Sequence, residues 1–545
     1  MNLFFRMSVV LLLGFVVFAF AGTDPWAFSV LQYGMFALAL GYVFTTKTLY
    51  ITRPLKIISS LLLFLIGLAL VQSLFPRTLL DSVAFFPFTV LRLHTLEVAS
   101  LLLTYLIWTW LIVQLFPSFT KSNHLILCTV FIGVAVVLCA CALPKSDYMF
   151  RLVGIRSGFG PFLNRNHAGI FLAMSSVGVL SFLFASYIQN RKQLFAPQKQ
   201  SFYMRHLCLL LIFVGLCSGT VFTRSRGGML SLAVGIFTYS FLCFWVVPPK
   251  LKKRLKGWFF TLLALVLVSG WVATHVPEIN AFAQRATNTS EMTRKMFYRS
   301  SFRALKESPY FGWGLGTTPL VIHNYFEWPI KKYVNHLHCD WLEILLEIGC
   351  LGAGVVLLFM GWLALFMLRN LKKLETKKQL VYSGLISVMT VMCVGSLFDF
   401  DFFIPANACL FFLTLGIACN PSFNKKTVQI ISLNWIKRIL LVGICVAAVW
   451  IPTSKTIAWR LMWLGKGMKH DTKIFAYEEA VSYYPSPRYA VYLGIAYYNA
   501  GIHSHNTELR YAYWRQAKRV AETYLKKYPK DKELSQLYMR VYNVD

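Results

Sequence analysis

The chain has 545 residues, of which 57% are hydrophobic and 14% charged, with 54 Lys and Arg against 22 Asp and Glu for a formal net charge of +32. Its mean hydropathy of +0.57 and a charged fraction well below the roughly one quarter of soluble domains exclude a soluble protein. A nucleic-acid binder is excluded too, because the cations are dispersed between apolar segments rather than striped along one soluble face.

Apolar runs of about 20 residues, enough helix to cross a bilayer core, recur to about residue 455 and then stop. Spans are predicted at 4–22, 26–45, 56–75, 94–116, 124–143, 167–188, 204–223, 227–247, 257–275, 340–368, 380–398, 401–420 and 436–454. The expected fold is therefore an all-α polytopic membrane protein with 12–13 transmembrane helices, a long helical periplasmic loop and a soluble, repeat-like helical C-terminal tail. The first span ends on Ala19-Phe20-Ala21, which has the form of a leader-cleavage site. It runs directly into a second span and is read as a retained anchor.

Short loops rich in Lys and Arg face the cytoplasm. Those holding Lys47, Arg53 and Lys56, Arg191 and Lys192, Lys250 to Lys256, Arg369 to Lys378, and Lys425 to Arg438 all fall on one side of the span count. The N-terminus is then inside and the tail outside. The 12 cysteines lie in or beside spans without CxxC spacing, as small buried hydrophobes do.

Three outer segments carry cations against this bias: residues 144–166 with Arg165, the turn Thr223-Arg224-Ser225-Arg226-Gly227-Gly228, and the loop 276–337. Such residues mark either an anionic ligand or contact with acidic lipid headgroups. In the long loop, Thr287 to Lys306 reads as an amphipathic helix capped by Asn288 or Thr289, with Pro309 and Gly312 ending it. Arg299 and Arg303 share a face, with Arg294 and Lys295 about a turn earlier. Guanidinium forks suit phosphate oxygens, and two or three of them suffice to hold a pyrophosphate without a metal. Asp399 and Asp401 lack a third ligand and make a weak metal site, so no metal is expected.

Ser308-Pro309-Tyr310-Phe311-Gly312-Trp313-Gly314-Leu315-Gly316 is a tight glycine turn, without the flanking elements of a nucleotide fingerprint. Its aromatic residues suit either sugar stacking or anchorage at the membrane interface. His338 then opens a helix on which Asp340, Glu343 and Glu347 form one stripe. Acids entering an apolar span need partners, and a histidine here can take a proton from a hydroxyl or bond a phosphate.

At these residues the chain resembles the O-antigen ligase and polymerase superfamily of bacterial envelope enzymes. Gly158 to Gly169, with Asn164-Arg165-Asn166, looks like the family's Asn-Arg-Asn segment, and Ser225-Arg226-Gly227 like its Ser-Arg-Gly turn. The stretch from Arg294 through Gly312–Gly316 and His338 to Gly352 resembles its signature domain. The likeness covers roughly residues 150–420. Cys339 stands where the family often has Asn, Ser or Gln.

The resemblance implies a metal-independent glycosyltransferase of the inner membrane, active at the periplasmic face and needing no cofactor. Its donor would be a glycan on undecaprenyl pyrophosphate. Arg226 and Arg294 would bind and stabilise the pyrophosphate, and His338 would activate the acceptor or position the leaving group. Arg165, Asn166, Arg299, Arg303 and Glu347 are supporting substrate-binding candidates. Lipid A-core is the favoured acceptor, ahead of Ser/Thr of a secreted protein and of a growing polysaccharide. A transporter or flippase is the rival class, but it predicts paired halves with broken helices, and no internal repeat of that kind is evident.

After Trp450-Ile451-Pro452 the composition turns soluble. Residues 1–455 are read as the transmembrane domain and 456–545 as the tail. There Tyr483-Tyr484-Pro485 and Lys527-Tyr528-Pro529 close helical patterns, and Tyr492 to Gly501 looks like a tetratricopeptide helix. Such a tail suits docking of a protein partner.

Overall fold

A computed structural model describes residues 2–78, 86–142, 158–189, 199–246, 294–327, 334–529 and 531–542, with positions 248 and 252. In chain order the membrane part comprises α1 (Asn2–Phe18), α2 (Pro25–Thr45), α3 (Arg53–Leu74), α4 (Arg92–Leu115), α5 (Phe119–Ala142), α6 (Arg165–Gln189), α7 (Lys199–Phe222) and α8 (Arg226–Val246). A helix over 294–307, α9, is followed by α10 (Asp340–Leu371), α11 (Thr376–Gly395), α12 (Pro405–Ala418) and α13 (Trp435–Gly465). Ten of the described helices are long and apolar enough to cross a membrane, with α1 and α12 shorter. The chain is an all-α polytopic membrane protein, as its composition requires. The predicted span 257–275 and the start of the outer loop lie outside the described residues.

The bundle is built around α6 and α12. Nearly all of α6 is buried, and every residue of α12 is. Helices α6, α8 and α11 pack on one another, while α4 covers α12, with Trp108 donating its indole N–H to the Cys409 carbonyl at 2.9 Å. A full span was expected over 401–420. Instead Asp401–Phe403 forms a 3-10 turn and Pro405 starts a helix of 14 residues, about 21 Å long against a hydrocarbon core of about 30 Å. The missing turn leaves a recess at the outer end of the bundle.

At the opposite end, Thr48–Ile51 (β1) pairs antiparallel with Gln429–Ser432 (β2), Thr48 facing Ser432. Gln114 closes the free side of β1, bonding the Tyr50 N–H and carbonyl at 2.8 Å each. This two-stranded ladder joins the loop of Lys47 and Arg53 to that of Lys425 and Lys426. Two of the basic loops used for the predicted orientation therefore meet at one end.

Helix α10 is broken at Gly349, whose φ of 64° and ψ of −176° no helix contains. The break frees the carbonyls of Leu346 and Glu347, which accept the Trp313 and Gly314 amides at 3.1 and 2.9 Å. Beyond it, the Cys350 and Leu351 amides donate to Pro309 and Tyr310. The glycine-rich loop is thus stitched into the helix. Residues 350–371 alone give about 33 Å of helix, a full span, so Glu343 and Glu347 belong to a separate outer turn.

Helix α13 continues past the span end expected at 454, through Pro452, to Gly465. Pro452 has no N–H for the Ala448 carbonyl, which instead accepts the Ser100 hydroxyl at 3.0 Å. Four further helices follow: α14 (His470–Tyr483), α15 (Pro487–His503), α16 (Thr507–Lys527) and α17 (Lys532–Val541). They rest on the outer end of the bundle. Glu97 of α4 pairs with Lys455 and accepts the Tyr484 hydroxyl at 3.0 Å, and Tyr484 stacks on His94.

The stitched break yields a stability test. A Cβ at Gly349 would overlap the Tyr310 carbonyl and occupy a backbone region costly for any other residue. Gly349→Ala should therefore cost about 1–3 kcal/mol from the backbone alone, with the overlap in addition. Gly354→Ala, which meets nothing within 4 Å, should be neutral. Thermal denaturation in detergent compares the two, and equal melting temperatures would refute the account.

Candidate functional site

The recess holds two histidine–carboxylate pairs on the link between α11 and α12. His338 Nδ1 lies 2.8 Å from Asp399 Oδ1, and His167 Nδ1 lies 3.0 Å from Asp401 Oδ1. Asp399 also accepts the Phe400 amide at 3.0 Å and, through Oδ2, the Asn166 side-chain amide at 2.8 Å. Burial pushes the Asp399 carboxyl up, but the charges of His167 and His338 and the bonds from His338 and Asn166 outweigh it and hold it below the ordinary carboxylate range. Burial, reinforced by Asp399, instead raises Asp401, against the pull of His167 and Asn407.

An ionised carboxylate only accepts, so His338 Nδ1 donates in that bond. The His338 side chain is 37% exposed, whereas Asp399 is 4% exposed. Phe297 lies parallel to the imidazole at 6.3 Å and Phe400 approaches edge-on at 5.2 Å. With Nδ1 engaged by Asp399, Nε2 is the ring nitrogen left to exchange a proton with a hydroxyl. His338 also adopts φ of 54°, and so does Arg224. Left-handed backbone at non-glycine residues costs about 1–3 kcal/mol each and gathers at functional sites.

The neighbouring carboxylates hold this geometry. His336, two residues back, bonds Glu343 at 2.8 Å and lies against Phe400 and Phe403. Asp340 accepts the Phe402 amide at 3.1 Å, while its own amide donates to the Ser396 carbonyl. Glu347 is buried and accepts the hydroxyl and amide of Thr318 at 2.8 and 3.3 Å, which fastens the glycine-rich loop. Trp313 is buried too, its indole donating to the Ala304 carbonyl at 2.9 Å, and so is core rather than a sugar platform. Cys339 is also buried, which pushes its thiol up and leaves it a small apolar group.

The arginines come from helix starts. Arg165 opens α6 and Arg226 opens α8. These helices cross where Gly169 and Gly228 leave no side chain between them; a Cβ on Gly228 would sit 3.0 Å from the Gly169 Cα. Two helix N-termini thereby converge, each with a partial positive charge suited to anions. Arg224 and Arg226 lie close enough to Arg165 for their charges to oppose it. This basic corner adjoins the dyad through Asn166 and through Gly227, which packs beside Phe398.

On α9, Tyr298 lies near Arg294, one turn earlier, and near Cys339 beside His338. Arg299 and Arg303 lie on the exposed face, Arg303 pairing with Glu327 at 2.7 Å. The fold therefore assembles His338, Arg165, Asn166 and Arg226, with Arg294 alongside. It places Glu347 in the loop support and Arg299 and Arg303 away from the dyad. The expected helix start at 287–293 lies outside the described residues. Sequence reasoning weighed Asp399 and Asp401 only as a weak metal site and gave His167 no role of its own. The signal was Asp-Phe-Asp in an apolar stretch, where carboxylates persist only with partners.

A family model described as O-antigen ligase matches residues 207–357, a stretch that includes Arg226, Arg294 and His338. No curated protein matches the chain. The family match supports a membrane glycan enzyme of the ligase or polymerase type and agrees with the resemblance read from the motifs.

The His338–Asp399 bond is directly testable. Asp399→Asn keeps the shape but offers an amide in place of the acceptor. Activity in membrane vesicles should fall by about 100-fold or more, with protein abundance unchanged. Full activity in that variant would remove Asp399 from the mechanism.

Proposed function

We propose that this protein transfers a glycan from undecaprenyl pyrophosphate to an acceptor hydroxyl at the periplasmic face of the bacterial inner membrane, and that the acceptor is lipid A-core, making the reaction O-antigen ligation. The observation that carries the reading is the adjacency of an accessible His338 Nε2, backed by Asp399, to the corner of Arg165, Arg224 and Arg226. A base beside a diphosphate-sized cationic corner is what an oxygen-for-pyrophosphate exchange requires.

In this mechanism the acceptor O–H gives its proton to His338 Nε2 as its oxygen bonds the anomeric carbon of the donor sugar. The bond from that carbon to the pyrophosphate oxygen breaks, and the electron pair leaves with undecaprenyl pyrophosphate. Arg226 and Arg294 meet the growing charge on the leaving group, with Arg165 and the two helix N-termini behind them. Asn166 and Asp399 keep the imidazole in one tautomer. The arginines supply the positive charge, and neither a metal nor a cofactor enters this scheme.

Polymerisation and transfer to protein Ser/Thr share the donor half of this chemistry and differ only in acceptor. We read residues 456–545 as a helical docking module beside the site.

Deletion of the gene distinguishes the acceptors. Loss of long-chain lipopolysaccharide with accumulated lipid-linked polymer supports ligation. Single-repeat caps would reassign the enzyme to polymerisation, and loss of glycoprotein alone to protein transfer. Normal glycans in every fraction would refute a transferase. At residue level, His338→Ala and Arg226→Ala should each lower transfer by about 100- to 1,000-fold. Arg226→Lys should recover only part of the loss, because an ammonium lacks the bidentate fork.

A further inference from the structure

At the end of the bundle opposite the catalytic recess, α3 and α10 enclose a cleft of about 490 Å³. The two helices are held together at their outer ends, where the Gln72 amide donates to the Glu347 carbonyl at 3.4 Å and Gln72 Oε1 accepts the Leu315 amide at 3.1 Å. At the other end Arg53 and Lys56 line the cleft, with Thr427 and Gln429 across from them. Ile57 and Trp362 form its apolar wall.

The cations are held in place. The Arg53 guanidinium lies 5.8 Å from the Phe366 ring centre, and the Arg53 amide donates to the Thr427 hydroxyl at 3.3 Å. Lys56 Nζ donates to Gln429 Oε1 at 2.6 Å, and Gln429 belongs to the paired strand β2. Among the described residues, no acidic side chain lines the cleft. About one helical turn from Ser60 and Trp362 towards the membrane centre, Leu63 and Leu358 are exposed. A cationic head, an interfacial tryptophan and an apolar furrow have the polarity of an amphiphile seen in negative. Basic pockets between transmembrane helices on the cytoplasmic side bind anionic lipid headgroups, and the volume suits a glycerophosphate.

We infer that the cleft is a binding site for an acidic phospholipid, its phosphate between Arg53 and Lys56 and its acyl chains along Leu63 and Leu358. The site is remote from the glycan chemistry and independent of it.

Native mass spectrometry of the full chain, exchanged into phosphatidylglycerol or phosphatidylcholine, tests the assignment. Phosphatidylglycerol should be retained in preference. The double variant Arg53→Gln/Lys56→Gln should lose that retention by about tenfold or more. Trp362→Ala, which leaves the charges and the β1–β2 ladder intact, should weaken it as well. Lys425→Gln/Lys426→Gln, exposed charges at the same end, should retain lipid like the parent. Equal loss in that control, no preference over phosphatidylcholine, or displacement by inorganic phosphate alone would overturn the proposal. A photo-crosslinking residue at Ser60 should be recovered on phospholipid; recovery on residues 257–275 of the same chain would overturn it instead.

Discussion

A carboxylate placed inside a membrane bundle must find partners or give up its charge, and the outer half of this protein is arranged around that requirement. Asp399 takes one partner from α6, one from the segment before α10 and one from its own backbone. These groups are far apart in the chain, so satisfying one carboxylate draws three regions together. Asp401 repeats the pattern with His167 and Asn407. Asn407 also donates to the His167 carbonyl at 3.1 Å. The short helix α12 makes room for both acids, because a full-length span there would carry the chain through the recess they occupy.

The same logic governs the glycine-rich loop, with backbone groups in place of side chains. Breaking α10 at Gly349 exposes carbonyls and amides that the apolar surroundings cannot solvate. The loop 309–316 supplies the missing partners, and Gln72, Thr95 and Glu347 fix its remaining groups. A helix break in such a place persists only because another segment completes it. The product is a rigid floor on which α9 and His338 are set, so the strain at His338 is held by an already satisfied network.

Much of this was legible in the sequence. Spans are readable because crossing a bilayer imposes a length and a polarity, and the described helices follow the expected order. Arg165, Arg226 and His338 were readable because each sits in a local motif at the start of a helix. Asp399 was not, since its role depends on Asn166 and His338, 233 and 61 residues away. Considered alone, Asp399 and Asp401 posed a question about metal ligands, and the answer was histidine. Glu347 was correctly expected to have a partner, but spacing along a helix cannot reveal that the partner is Thr318. Arg299 and Arg303 share a face as their spacing required. Periodicity fixes which residues lie together, but not which face meets the site. The β1–β2 ladder left no trace, because two four-residue strands separated by most of the chain carry no local pattern.

The tail illustrates how far this coupling extends. Its helices pack mainly on one another, and they meet the rest of the chain at a few points, with Tyr528 against the cluster of Phe297, Trp313 and Leu337 and Leu93 against the tail's own core. The ion pair of Glu97 with Lys455 and the Tyr484 hydroxyl bond lie one helical turn from His94, whose ring reaches the Gly316 carbonyl at 3.3 Å. Gly316 ends the loop that the Gly349 break anchors. A continuous path of packed and bonded groups therefore runs from the tail through His94 and the glycine loop to α10 and the segment carrying His338. Every link in it is a group that would be left unsatisfied if its neighbour moved, so the tail and the recess at His338 are mechanically parts of one assembly.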